Sequence, residues 1–240
     1  MNQEHAKIHL LEAHKTGFGL LIEQDAGWAS IDLKSDILRE GFEVGPNNTV
    51  TVNCILQKAN TLNRNGRVYP RSILEREARK YQEQINVGSA IGECNHPSEI
   101  TVDLNNVSHR VVKIWWEGDT LFGKLEIIVS PQYAKRGEIG PIVGDKLAHY
   151  LQLGIKLGIS SRGIGSVKSI HGKNYVQDDF ELVCFDLVSS PSTPDAYLYP
   201  EEMQKQVAQV VNESIITTPK LMTNLSGFDQ KLAQFIKNKK

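Results

Sequence analysis

Two β-rich runs, Val107 to Trp116 and Thr120 to Val129, are separated only by Glu117-Gly118-Asp119. So short a connection can only reverse the chain, because a parallel pair needs a crossover of about a dozen residues or more. The two runs must therefore form an antiparallel hairpin. Thr49 to Ala59 adds a strand pattern, with Val50, Val52, Cys54 and Leu56 at period two. Asn63-Arg64-Asn65-Gly66-Arg67 follows as an Asn-Gly turn. Pro70 then precedes a helical stretch, Arg71 to Ile85, with Leu74, Ala78, Tyr81 and Ile85 on one face. A second helix is predicted from about Pro141 to Leu153, its apolar face made by Ile142, Leu147, Tyr150 and Leu151. Lys156 to Ile170 reads as extended, His171-Gly172-Lys173-Asn174 as a turn, and Tyr175 to Val188 as a strand leading back. This is not a βαβ alternation. It predicts an α+β fold, a β-rich antiparallel sheet or barrel with two or three packed helices.

The regular region is expected to span 49–200. Residues 1–48 read as a partly irregular leader, rich in Glu, Asp, Lys and Gly with only short apolar patches. Residues 201–240 read as a polar, basic-ended tail with one short amphipathic candidate, Phe228 to Ile236. A formal net charge of −1 gives no global attraction to nucleic acid. No apolar run approaches the ~20 residues of a membrane span. The three cysteines, Cys54, Cys94 and Cys184, are widely spaced and read as reduced and partly buried in an intracellular protein. No CxxC or HExxH pairing is present, so no structural zinc site is expected. Nothing calls for a cofactor.

Three short segments carry residues with chemistry. Gly92-Glu93-Cys94-Asn95-His96-Pro97 presents a histidine, and Gly158-Ile159-Ser160-Ser161-Arg162-Gly163 presents two serines between glycines. Val183-Cys184-Phe185-Asp186-Leu187-Val188 places an aspartate in an apolar strand. A serine hydroxyl needs an imidazole to take its proton, and the imidazole needs a partner to fix its tautomer. Spacing alone does not select these residues. From the residues alone, Asn95-His96-Pro97 reads more readily as a turn whose histidine caps the backbone, and Ser160-Ser161 as a loop than as a nucleophile. Asp186 in an apolar strand requires a partner, which Arg162 or a backbone donor could supply. His109 on the first hairpin strand reads as cross-strand packing, and Trp115 and Trp116 as core and rim aromatics. Cys94 and Cys184 flank the segments, and core packing suits them better than nucleophilic roles.

The chain resembles the prohead core proteases of T-even-like tailed phages, which are related in fold to the herpesvirus assemblin proteases. The matching segments are Asn63-Arg64-Asn65-Gly66-Arg67-Val68-Tyr69-Pro70, Gly92 to Pro97, Trp115-Trp116, Gly144-Asp145-Lys146-Leu147-Ala148, Gly158 to Ser166, and Pro191-Ser192-Thr193-Pro194-Asp195-Ala196. They keep the same order and span roughly residues 50–200. The resemblance implies a herpesvirus-protease-like fold and a serine endopeptidase acting inside the immature capsid, in the host cytoplasm. Its substrates would be scaffolding or core proteins and the major capsid protein. Cleavage would follow glutamate, typically with a large aliphatic residue two positions earlier. The nucleophile maps to Ser160 and the base to His96. For the third member Asp186 is favoured, because the related herpesvirus enzymes carry theirs, a histidine, on a strand at a similar distance after the serine. Glu181 and Asp195 are the alternatives. Backbone N–H groups near Ser161, Arg162 and Gly163 would stabilise the oxyanion, and Arg162 could also bind the substrate glutamate.

Three sites in the chain fit the same cleavage pattern: Leu10-Leu11-Glu12-Ala13, Leu38-Arg39-Glu40-Gly41 and Val211-Asn212-Glu213-Ser214. Self-cleavage after Glu12, Glu40 and Glu213 is therefore expected. A homo-oligomer is plausible by family analogy, and nucleic-acid or membrane partners are not expected. A non-catalytic structural assembly protein of the phage head or tail could use the same scaffold, since fold alone does not establish catalysis. An intracellular hydrolase of some other acyl substrate is the third reading, disfavoured by the lack of a Gly-x-Ser-x-Gly elbow.

Overall fold

The computed structural model describes residues 18–22 and 41–212. The proposed cleavage positions Glu12, Glu40 and Glu213, and the amphipathic candidate Phe228 to Ile236, lie outside the described residues. The chain divides into two units, Met1–Glu202 and Met203–Lys240. In the second, residues 204–212 are helical.

The first unit contains two sheets. One has the order β2-β6-β5-β4 (Thr49–Lys58, Thr120–Ile128, Val107–Glu117, Ile91–Glu93) and is antiparallel throughout. The predicted hairpin is its centre, β5 and β6 closing at Glu117↔Thr120. The other sheet is built around β7, Gly158–Ile170. The N-terminal half of β7 pairs with β9 (Glu181–Val188), and its C-terminal end pairs with β8 (Lys173–Val176). β1 (Phe18–Ile22) pairs with β7 over Arg162–Ser166, and β3 (Arg67–Val68) joins β8 in parallel. A parallel bridge, Cys94↔Leu187, ties the end of β4 to β9. The expected α+β class holds. The described strands form two sheets and no closed barrel.

Several sequence expectations change. Tyr175 to Val188 is not one strand: Gln177–Phe180 turns the chain, so β8 and β9 meet different parts of β7. Asp178 and Asp179 favour that break, since short acidic side chains compete for backbone donors. Asp179 indeed accepts from Ser166 N and Oγ, each at 3.0 Å. The strand β1 falls in the stretch read as a leader. β4 is too short to show a period.

Three helices pack beside the sheets: α1 (Arg71–Asn86), α2 (Pro131–Arg136) and α3 (Val143–Gln152). α1 buries Ile73, Leu74, Ala78 and Tyr81 on one face, as its spacing predicts. Its Glu77, 2% exposed, accepts Leu182 N at 2.9 Å and so fastens α1 to β9. α2 was not predicted, although Ser130-Pro131 is a helix start and Gly137 a left-handed stop. Asp145 joins the two later helices. It accepts Ser130 N (2.7 Å), Ser130 Oγ (2.8 Å) and Gly140 N (2.7 Å). The Gly144-Asp145 motif is thus structural: a Cβ at Gly144 would collide with the Ile128 carbonyl, so α3 can approach β6 only with glycine there.

Candidate active site

β7 and β9 place Ser160 directly opposite Asp186, and Arg162 opposite Cys184. Side chains alternate across a sheet, so these four share one face. Ser161 points to the other face, where its Oγ accepts Gln57 Nε2 at 2.9 Å. The same Gln57 accepts Thr193 Oγ1 at 3.0 Å, so Ser161 belongs to a polar seam between β7, β2 and the Ser192-Thr193 segment. The two adjacent serines therefore sit in different environments. Every position from Gly158 to Gly163 is buried, which means that both faces of this stretch are covered.

The histidine arrives from the other sheet. β4 lies against β5, and its last residues cross to β9 through the Cys94↔Leu187 bridge and an Asn95 N–H to Leu187 O bond of 2.7 Å. Gly92 is required there, because a Cβ would strike the Phe185 carbonyl and the His109 ring. Asn95 then adopts φ +65°, a left-handed conformation that Asn tolerates better than most residues. This turn brings His96 over Asp186, with Nδ1 2.8 Å from Oδ2. The two side chains are 2% and 0% exposed. His96 Nε2 is buried and has no hydrogen-bond partner among the described residues. Asp186 requires a hydrogen on Nδ1, which leaves Nε2 with the free lone pair of a base.

Asp186 has a dense set of partners. Oδ1 accepts Glu93 N at 3.0 Å and Arg162 Nη2 at 3.2 Å, and Arg162 Nε stands 2.9 Å from Oδ2 as an ion pair without hydrogen-bond alignment. Burial pushes this carboxyl up. The His96 bond, the Glu93 N–H and the Arg162 charge outweigh that and hold it below the ordinary carboxylate range. Beside it Cys184 is driven the other way: burial and the Asp186 charge keep it a thiol. Cys94 is raised by burial as well, so neither cysteine has the thiolate character of a nucleophile. His109 is fully buried, its Nδ1 2.9 Å from Ser108 Oγ. Desolvation lowers its pKa to about 4, so it is neutral.

The alternatives for the third position lie elsewhere. Asp195 pairs with Lys58 at 2.9 Å, and Glu181 is exposed at the start of β9. Arg162 is 0% exposed and engages Glu93 Oε1 (2.8 Å), Cys184 Sγ (3.1 Å) and Glu99 O (2.7 Å). Its guanidinium is thus a clamp inside the protein and is not free to meet a substrate glutamate, contrary to the sequence expectation. Arg162 and Gly163 also have strand neighbours on both edges, β9 and β1, which engages their backbone in the ladders. No group of His, Cys, Asp or Glu among the described residues is arranged to hold a metal ion. Among the described residues, no helix is long and apolar enough to cross a membrane.

The sequence model of the family described as prohead core protein serine protease matches residues 26–208. The chain belongs to that family. It is 35% identical over 174 residues to the prohead core protein protease of Enterobacteria phage T4, covering 71% of this chain and 78% of that protein. The solved bacteriophage T4 capsid assembly protease superposes with a TM-score of 0.56 at 30% identity, covering 72% of this chain and 99% of that one. The protein is thus a phage prohead core protease of the T4 type, a hydrolase of capsid assembly and maturation. Glu93 is the residue of this prohead protease whose place sequence reasoning overlooked. A charged residue between Gly92 and Cys94, in a segment that also carries His96, was its only signal.

Proposed function

We propose that this prohead core protease is a serine endopeptidase in which Ser160 is the nucleophile, His96 the general base and Asp186 the group that orients the imidazole. The reading is carried by the buried His96–Asp186 pair, whose aspartate faces Ser160 across the ladder. Ser160 Oγ attacks the scissile carbonyl as His96 Nε2 takes its proton. The tetrahedral adduct collapses as the protonated imidazole delivers that proton to the amine nitrogen, so the scissile C–N bond breaks and the ester of Ser160 forms. Water, deprotonated by the same nitrogen, releases the acyl half. Asp186, kept ionised by its donors, stabilises the imidazolium formed in both steps.

The oxyanion donors are sought among the backbone N–H groups of the strand around Ser161, next to the nucleophile. The substrates are the scaffolding or core proteins and the capsid protein of the phage, cut after glutamate inside the prohead in the host cytoplasm. The region 49–200 is the catalytic domain. The flanking segments are removed after Glu12, Glu40 and Glu213, and copies of the chain associate.

The test incubates the purified chain and a Ser160→Ala variant separately with a scaffold-like polypeptide, followed by intact mass. The expected result is cleavage after glutamate by the first, with loss of its own ends, and none by the second. Equal cleavage by both removes Ser160 from the mechanism. Cleavage after other residues overturns the specificity.

A further inference from the structure

The geometry points to Glu93 as a positioning residue of the catalytic centre, which sets the basicity of His96 by balancing the buried charge of Arg162. This rests on the reading of Ser160, His96 and Asp186 given above. Glu93 is 1% exposed, so its carboxylate is held by partners within the protein. One oxygen accepts Arg162 Nη2 at 2.8 Å and Asp103 N at 3.1 Å, and the other accepts Asn106 Nδ2 at 3.1 Å. The main chain of the same residue donates to Asp186 Oδ1 at 3.0 Å. A single residue thus holds the catalytic aspartate by its backbone and the aspartate's cationic neighbour by its side chain.

Burying Arg162 beside Asp186 creates a problem for catalysis. The imidazolium of His96 must be stabilised by Asp186, yet a guanidinium within 2.9 Å of the same carboxylate cancels that charge and repels the imidazolium. Glu93 restores the balance. With it, two carboxylates face one guanidinium, and one excess negative charge is left for His96. Without it, no excess remains. In a site closed to water such a difference is weakly screened.

The other titratable groups packed around the pair do not replace that charge. From β5, His109 is neutral; from β9, Cys184 is held as a thiol; from α1, Tyr81 is raised by burial and stays a phenol. Beside the site Cys94 is also a thiol, and the one further charge acting on it is the cation of Lys146 from α3. The network reaches outward too. Asn106 Nδ2 also donates to Cys94 O at 2.8 Å, and Arg162 Nη1 donates to Glu99 O at 2.7 Å, so the loop that follows His96 is fastened by the same ion pair.

The experiment measures the rate at which a small fluorophosphonate labels the active-site serine of the full chain across the acid-to-neutral range. The probe makes no demand on peptide specificity. Wild type, Ser160→Ala, Glu93→Gln and the double variant Glu93→Gln/Arg162→Gln are compared. Glu93→Gln is expected to move the acid midpoint down by about one pH unit and to lower the plateau by roughly tenfold, because a less basic imidazole is a weaker proton acceptor. The double variant removes the unbalanced cation and is expected to return the midpoint to the wild-type value. A purely structural role lowers the plateau and leaves the midpoint unmoved, and that result overturns the inference. If Glu93→Gln does not fold, the double variant decides: a folded protein with the wild-type midpoint supports charge balance, whereas an unfolded one or a displaced midpoint overturns it. A wild type that is not labelled, or labelling that survives Ser160→Ala, overturns the catalytic reading and this inference with it. An unmoved midpoint alongside Ser160-dependent labelling overturns the inference alone.

Discussion

Asp186 and Asp145 are both completely buried, and both lie within the stretch matched by the family model, yet their partners differ in kind. Asp145 is held by three neutral donors, Ser130 N, Ser130 Oγ and Gly140 N, which fix one geometry and leave no proton to move. Asp186 is held by a histidine and an arginine as well as a backbone amide. Its surroundings can gain or lose a proton and a charge. Burial alone therefore does not distinguish the carboxylate proposed for catalysis from a structural one. The ionisable partners do.

The sharpest way to break this contrast is Asp186→Asn. Asparagine keeps the shape but no longer enforces the hydrogen on Nδ1, and cleavage per folded molecule is expected to fall by about 10⁴. Retention of more than a tenth of the activity would remove Asp186 from the mechanism. The reciprocal change, Asp145→Asn, loses an acceptor oxygen among buried donors and is expected to lower stability by about 2 kcal/mol in a denaturant melt. Activity per folded molecule should stay unchanged; a selective loss of turnover would erase the distinction between the two aspartates.

A finer test uses pH. His109 has a folded pKa of about 4 against an ordinary 6.5, so the folded state resists its protonation. Its contribution is complete above about 6.5 and is lost as pH falls toward 4, a loss of roughly 3 kcal/mol. Asp186, held below its ordinary range, adds nothing to this window, because its contribution fades only at more acid pH. His109→Gln should therefore flatten the stability profile between those limits. An unchanged slope in urea melts would show that another group carries the pH dependence.

The hairpin β5–β6, β2 and α1 were readable because each repeats a period over many residues. β4, β1 and α2 were not, since none is longer than 6 residues. The split between β8 and β9 escaped because an apolar run tells nothing of which half of β7 each part will meet. At the site, the residue types of Ser160, His96 and Asp186 were visible, and the resemblance pointed to them. What no local pattern contained was that β4 would cross to β9, for that depends on a bridge between residues far apart in sequence. Arg162 was misjudged for the same reason: beside serines and glycines it looked available to substrate, but Glu93 and Asp186 enclose it.

The distance in sequence between the histidine and its aspartate has a consequence for how the protein is made. The pair spans 90 positions, and Asp186 lies near the end of β9. During synthesis His96 leaves the ribosome long before its partner exists, and Ser160 follows with no strand opposite it. A nascent chain that stops short of Leu187 also lacks the carbonyl that seats Asn95. On the proposed assignment, hydrolytic competence therefore cannot build up gradually along the growing polypeptide; it arrives with the last strand, after nearly all of the sheet is already in existence.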